Sequence, residues 1–223
     1  MWQSFYDTMI AQGRWTVVFK GLGTTLLIAL CAVLIGSVLG CAFALFKISR
    51  NKFLNALSNV YTTIIRGIPM ATQLMICYFV IFSPLGMNNT VLVAIISFGI
   101  NSGAYCTEIF RAGIQGVDKG QTEAGRSLGL SRSQTLFKIV LPQAFRTILP
   151  TFTSEFITLI KETSICGYIG LNDLTRGGDI IRSQTYEAFI PLIAVAIIYL
   201  VIVQVLTVIV GKWEKSLRKS EVQ

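Results

Sequence analysis

The chain has 223 residues, 53% hydrophobic and 13% charged, with a net charge of +8 and a mean hydropathy of +0.65. That is too apolar for a water-soluble domain, in which charged residues run near a quarter. There is no histidine, which excludes histidine acid–base catalysis and histidine-ligated metal, and the five cysteines (Cys31, Cys41, Cys77, Cys106, Cys166) form no CxxC pair and read as small apolar side chains.

Residues 1–20 carry Trp2, Phe5, Tyr6, Met9, Trp15 and Phe19 among a few polar groups. This fits a retained segment at a membrane interface better than a cleavable signal, which needs a basic start and small residues before the cut. Gly21 to Phe46 is a run of 26 residues with no formal charge, enough to cross ~30 Å of hydrocarbon. Gly36 and Gly40 form a GxxxG within it, a spacing suited to close helix packing.

A second apolar pattern runs from about Leu54 to Phe82, interrupted at Arg66-Gly67-Ile68-Pro69. The loop Ser83 to Asn89 is uncharged and turn-prone, and its Asn88-Asn89-Thr90 sequon is discounted as a chance match. A third span runs from about Val91 to Phe110, with Glu108 and Arg111 spaced as a local helix pair at its end.

The charged stretch Gln121 to Pro142 follows. Gly129 is placed to end one short helix in a left-handed residue, and Ser131 with Gln134 forms a capping box for a second. Pro142 lacks an amide hydrogen, so the second helix is expected to stop or bend at Leu141. A fourth span covers about Ala144 to Cys166 and contains Glu155, Lys161 and Glu162. The polar segment Gly170 to Glu187 suits a short surface helix, the fifth span is Ala188 to Gly211, and the tail from Lys212 is basic.

Five spans put the two ends on opposite sides. Thirteen of the 19 basic residues follow spans one, three and five, four lie on the other side, and Arg66 and Lys161 fall inside spans. The positive-inside rule then puts the N-terminus outside and the C-terminus in the cytoplasm. The excess of positive charge is thus a topology signal, and nucleic acid is not an expected partner. A DNA-reading helix-turn-helix at Ala124 to Ser131 fails because membrane helices clamp it at both ends.

The same knob carries a family resemblance. Glu123-Ala124-Gly125, then Gly129, then Ile139-x-Leu141-Pro142 resembles the EAA motif of permease subunits in ATP-driven (ABC) importers. Gly125 departs from it, standing where a second alanine is usual, and should loosen its helix by up to ~1 kcal/mol. The resemblance covers roughly residues 16–215. Arg66-Gly67-Ile68-Pro69 with Gln73-Leu74 is similar to a stretch of the branch that imports polar amino acids. So are Ser102-Gly103-Ala104-Tyr105, Glu108, Arg111, Gly120-Gln121, Lys161-Glu162-Thr163-Ser164 and Leu174-Thr175-Arg176, while Ser154 replaces the usual asparagine before Glu155.

This resemblance implies an all-α integral membrane protein of the type I importer (MetI-like) fold in the bacterial cytoplasmic membrane, with five transmembrane helices. It divides the chain into an interfacial segment (1–20), a transmembrane domain (21–215, coupling loop about 118–142) and a cytoplasmic tail (216–223). The coupling residues it implies, docking on an ATPase subunit, are Gln121, Glu123, Ala124, Gly125, Arg126, Leu128, Gly129 and Leu130. The other implied partners are a second permease, identical or a sister, and an extracytoplasmic amino-acid-binding protein, for which Asn172 to Arg182 is a contact region. The chain has no GxxxxGK[ST] loop, so ATP and Mg belong to the partner and no cofactor is expected here.

The sequence also places charge at depth. Arg66 lies about 12 residues into its span, roughly 18 Å, and Lys161 about 16 residues into its own, roughly 24 Å. A charge there costs at least ~2.5 kcal/mol and often marks a pathway. A zwitterion site follows: Arg66 or Lys161 on the α-carboxylate, and Glu155 or Glu162 with carbonyls freed at Gly67 on the α-ammonium. Met70, Thr163 and Ser164 would shape its side-chain pocket. The rival reading is that the charges only pair across helices. An ion-gradient-driven secondary transporter is the alternative function, weakened by the few spans and lack of a visible repeat. A membrane enzyme would need clustered catalytic carboxylates or histidine.

Overall fold

The computed structural model describes residues 2–219, so the end of the expected tail, 220–223, lies outside the described residues. The described residues form helices in the order α1 (Trp2–Phe5), α2 (Trp15–Ile48), α3 (Lys52–Gly67), α4 (Met70–Met75), α5 (Thr90–Gln115), α6 (Lys119–Ser127), α7 (Arg132–Thr135), α8 (Leu141–Glu162), α9 (Leu174–Thr185) and α10 (Phe189–Lys219). Short π and 3-10 turns join several of them.

Among the described residues, three helices are long and apolar enough to cross a membrane by themselves: α2, α5 and residues Phe189–Trp213 of α10. A fourth candidate is the bent pair of α3 with Met70–Leu85, which turns by 102° at the break. Ile68 at that break is extended (φ −109°, ψ 133°), as the residue before a proline must be. The expected fourth span, α8, is not apolar enough to qualify by composition. It is nevertheless packed against α2, α5 and α10.

α2 and α5 form the most extensive helix pair, and small residues set how closely they approach. A Cβ on Gly36 would lie 2.7 Å from Ser102 Oγ, and one on Gly40 would overlap Cys106 and come within 3.1 Å of the Thr107 amide nitrogen. From the other side, Gly99 meets Ile35 and Gly103 meets Leu39. The GxxxG spacing is therefore a packing device. Because Gly40 faces backbone, which cannot rotate away, Gly40→Leu is expected to force the two helices apart and cost about 1–3 kcal/mol or more. A fall in the thermal midpoint of the purified protein would register it, and an unchanged midpoint would contradict the packing.

Two apolar clusters hold the rest. One joins Ile28, Leu74, Phe98, Leu159 and Ile160 from α2, α4, α5 and α8. The other joins Met9, Val18, Leu174, Ile181 and Val195. The second anchors the N-terminal segment. Residues 15–20 already belong to α2, and the chain before them reverses at Gln12 and Gly13, both with positive φ. That reversal drops Met9, 5% exposed, between α9 and α10, while Trp2 and Tyr6 stay exposed. Only 6% of the most apolar stretch of α10 is buried, so this helix presents its surface to lipid or to another chain.

Candidate functional site: a coupling knob and a charged cluster in the bundle

α6 and α7 form the knob between α5 and α8. Asp118 starts α6 by accepting the Gly120 amide at 2.6 Å. Gly129 ends it at φ 81°, with its amide donating to the Arg126 carbonyl and the Leu130 amide to the Gly125 carbonyl, both at 3.1 Å. This pair of reversed bonds is a Schellman motif, which satisfies the last carbonyls of the helix. The capping box is complete: the Gln134 amide donates to Ser131 Oγ at 3.2 Å and the Ser131 amide to Gln134 Oε1 at 2.8 Å.

Two expectations about the knob are corrected. The chain does not leave helical geometry at Leu141. Residues Leu136–Val140 widen into a π turn, in which the Leu141 amide reaches back to the Leu136 carbonyl, and Pro142 then sits in the first turn of α8. A widened turn accommodates a proline that has no amide to donate. Gly125 is also not a surface residue. It is buried where α6 crosses the following helix, and a Cβ there would meet Ile139 Cδ1 at 2.8 Å and Thr135 Cγ2 at 2.9 Å. Glycine at this position permits a close crossing. The other assigned coupling residues lie around it, with Gln121, Glu123, Ala124, Arg126, Leu128 and Gly129 exposed and Leu130 half-buried. Leu128, 81% exposed, is an apolar side chain aimed outward at the bend.

The break between α3 and α4 organises the second site. Two of the carbonyls at the break are taken up by a buried side chain. Gln73 Nε2 donates to the Ile65 carbonyl at 2.6 Å and to the Ile68 carbonyl at 2.7 Å. Gln73 is 7% exposed, and its Oε1 accepts from Asn101 at 3.4 Å. A buried amide bridging two orphan carbonyls fixes the bend. Gln73 stood in the sequence motif, but no local pattern shows which carbonyls it reaches.

Arg66 is in the last turn of α3, where the helix C-terminus favours a cation. Its guanidinium lies 5.1 Å above the centroid of the Tyr105 ring, a cation–π distance. It borders an open polar cavity of about 420 Å³ with Lys47, Thr62, Thr63, Tyr105 and Glu108. Gly67 lines the same cavity. Glu155 on α8 has Arg66 and Glu162 as electrostatic neighbours, and Glu162 has Lys161. The structure therefore gathers Arg66, Glu155, Lys161 and Glu162 into one region. Among the described residues none of the four is in a salt bridge within 4 Å.

Three other residues assigned to this site have surroundings of their own. Thr163 is fully buried, donating to the Ile160 carbonyl at 2.8 Å and lying 3.5 Å from Thr25 Oγ1, so it ties the turn after α8 to α2. Ser164 borders a separate depression with Tyr168, Arg176 and Asp179. Met70 is half-buried against the Leu159, Ile160 and Cys166 cluster.

Glu108 is more than the local helix pair its spacing suggests. It binds Arg111 at 2.8 Å and also takes an ion pair from Lys47, whose ammonium donates to Thr62 Oγ1 at 2.9 Å. One carboxylate thus ties α2, α3 and α5 together. At the opposite end, the surface helix expected within 170–187 is α9. Asp173 caps it through the Thr175 and Arg176 amides at 2.9 and 3.1 Å. Burial pushes the Asp173 carboxyl upward against those hydrogen bonds. On the exposed face Asp179 binds Arg176 and Arg182, both at 2.5 Å, and the Arg182 hydrogen bond in particular holds its carboxyl below the usual range.

Residues 32–219 match the family model described as "Binding-protein-dependent transport system inner membrane component". The chain belongs to that family. A putative glutamine transport system permease of Rickettsia bellii is 40% identical to the permease described here over 201 residues, covering 90% of this chain and 92% of that one. The arginine transport system permease of Bacillus subtilis is 38% identical, covering 92% and 94%. A crystal structure of an amino acid ABC transporter with histidines superposes with a TM-score of 0.87 at 38% identity, covering 93% of this chain and 98% of that one. An inward-facing methionine ABC transporter, 19% identical, shares the fold with a TM-score of 0.82 and coverage of 93% and 99%. The permease thus has the all-helical type I importer fold and is an integral membrane component of an ABC transport system, in which hydrolysis of ATP belongs to separate subunits.

Proposed function

We propose that this permease carries a polar amino acid inward across the bacterial cytoplasmic membrane. In this reading it has five spans, with α8 the fourth, the N-terminus and α9 outside, and the knob and C-terminus in the cytoplasm. An extracytoplasmic binding protein delivers the amino acid near α9. Two ATPase subunits grip the knobs of two permease chains, and the second chain is either a copy or a sister. Glu123, Leu128 and the neighbouring exposed residues of α6 make the contact. Closure of the ATPases around ATP moves the knobs together and turns the pathway outward.

The observation that carries the substrate half is the group Arg66, Glu155, Lys161 and Glu162, which is charged, lies within the proposed spans with Arg66 and Lys161 exposed and Glu155 and Glu162 half-buried, and is not paired within itself. Charges kept this way at depth cost several kcal/mol unless a ligand or a water-filled path compensates them. The α-carboxylate of a zwitterion suits Arg66 or Lys161, and its α-ammonium suits Glu155 or Glu162. These groups recognise what all amino acids share, and the relatives named for glutamine and for arginine agree with that breadth.

Lys161→Ala tests it. Loss of one charge-assisted hydrogen bond is worth about 1.5–3 kcal/mol. The substrate concentration for half-maximal ATPase stimulation is therefore expected to rise by about 10- to 100-fold. Normal stimulation together with a lowered thermal midpoint would make Lys161 a purely structural residue. Uptake that continues without any ATPase subunit would overturn the importer reading as a whole.

A further inference from the structure

A cleft runs along the knob end of the bundle and has two arms of opposite character. The first, about 410 Å³, lies between α2, α5 and α8 and is walled by Cys41, Leu45, Phe110, Phe137, Phe145 and Phe152. Its one hydroxyl, Ser37, is already committed to the Val33 carbonyl at 2.6 Å. The second arm, about 380 Å³, lies beneath the knob and presents Arg126, Arg132, Thr122 and Thr135 beside Ile48. Ile114 lines both arms, and the consecutive residues Leu136 and Phe137 line one each, so the two lie side by side.

No carboxylate lines the second arm. Arg126 donates to the Leu130 carbonyl at 2.6 Å, which orients its guanidinium without neutralising it. An apolar arm alone would accept any hydrocarbon, and two guanidinium groups alone would accept any anion. A molecule satisfying both arms joins a fatty chain to a phosphate. We propose that this cleft binds one anionic phospholipid, its acyl chain lying between α2, α5 and α8 and its phosphate held by Arg126 and Arg132 beneath the knob. Arginine is suited to this task because its planar fork meets phosphate oxygens in pairs. Anionic headgroups and basic residues also concentrate at the same membrane surface. The bound headgroup would touch α6, α7 and the last turns of α2 and α5 at once, so lipid composition would tune how firmly the knob is seated. The proposal stands whichever amino acid is carried.

Cys41 supplies a built-in reporter, being exposed in the apolar arm while Cys106 and Cys166 are buried. The full transporter, permease with its ATPase subunits, is placed in nanodiscs of phosphatidylcholine with or without phosphatidylglycerol. Phosphatidylglycerol is expected to slow maleimide labelling of Cys41 by about tenfold, the equivalent of about 1.4 kcal/mol of occupancy, and to remain bound in native mass spectra. Arg132→Gln, outside the residues assigned to ATPase contact, is expected to abolish that protection, and Cys41→Trp to reduce retention of the lipid by filling the acyl arm. Protection equal in phosphatidylcholine alone, or unchanged by Arg132→Gln, would overturn the proposal. So would displacement of the lipid by millimolar inorganic phosphate, which marks a free-anion site. Labelling blocked in every lipid would do the same, because a second chain would then cover the cleft.

Discussion

Glu108→Ala is expected to lower the stability of the bundle by about 3 kcal/mol, the low end of the range for breaking a buried ion pair. Glu108 and Lys47 keep only 19% and 16% of their side-chain surface exposed, and Arg111 keeps 32%. Removing the carboxylate leaves Lys47 with Thr62 as its one remaining partner at the meeting point of α2, α3 and α5. An ammonium stranded there must move toward solvent and take the end of α2 with it, or lose its proton. Unfolding of the purified permease, followed by temperature or denaturant, reads the loss. A double change of Lys47→Met with Glu108→Met is expected to recover most of it, because two apolar side chains of similar length fill the space without a charge to solvate. A single variant as stable as the parent would sink the three-helix tie. A double variant as damaged as the single would locate the cost in something other than the stranded charge.

Gly129→Val should leave the permease inserted in the membrane at parental levels while cutting uptake, with basal hydrolysis by the ATPase subunits retained. A side chain at φ 81° brings Cβ against the following carbonyl, a penalty of about 1–2 kcal/mol. Relieving it opens the two bonds that set the angle between α6 and α7. A shift of that size in the equilibrium of the docking geometry corresponds to a fall in uptake of about 5- to 30-fold. Nothing lies within 4 Å of where the Cβ would be, so the effect is conformational and not steric crowding from neighbours. Gly129→Asn separates the two, since asparagine tolerates the left-handed region far better than valine. Asparagine is expected to retain most of the uptake. Equal damage from both substitutions would mean that the bend is not what Gly129 supplies.

The knob was legible in the sequence because its signals are local. Gly129, Ser131 and Gln134 specify a stop and a start within six residues, and the atoms they join are neighbours along the chain. The break at Gly67–Pro69 was legible for the same reason. The GxxxG of α2 foretold a close approach, although not which helix would approach. What stayed hidden lies between distant elements. Gln73 reads as one more polar residue in a motif until the two carbonyls at the bend are in place around it. Lys47, Thr62 and Glu108 come from three helices, and no periodicity connects them. Gly125 looked like a weak point in a helix when α6 was considered by itself, and it became a crossing point once Thr135 and Ile139 were packed against it. Thr163 belonged to a polar run in the sequence, but its partner is Thr25, far away in the chain.

Met9 also bears on how the molecule is made. It is seated among Val18, Leu174, Ile181 and Val195, so the segment before α2 is locked against α9 and α10. During synthesis Leu174, Ile181 and Val195 do not yet exist when Met9 leaves the ribosome. At about 5–20 residues per second the seat is completed only some 10–40 s later. Until then the N-terminal segment has nothing to hold, and its apolar groups must wait at the membrane surface. Closing this seat is therefore a late step of assembly, the one at which α9 and α10 are fastened to the first long helix.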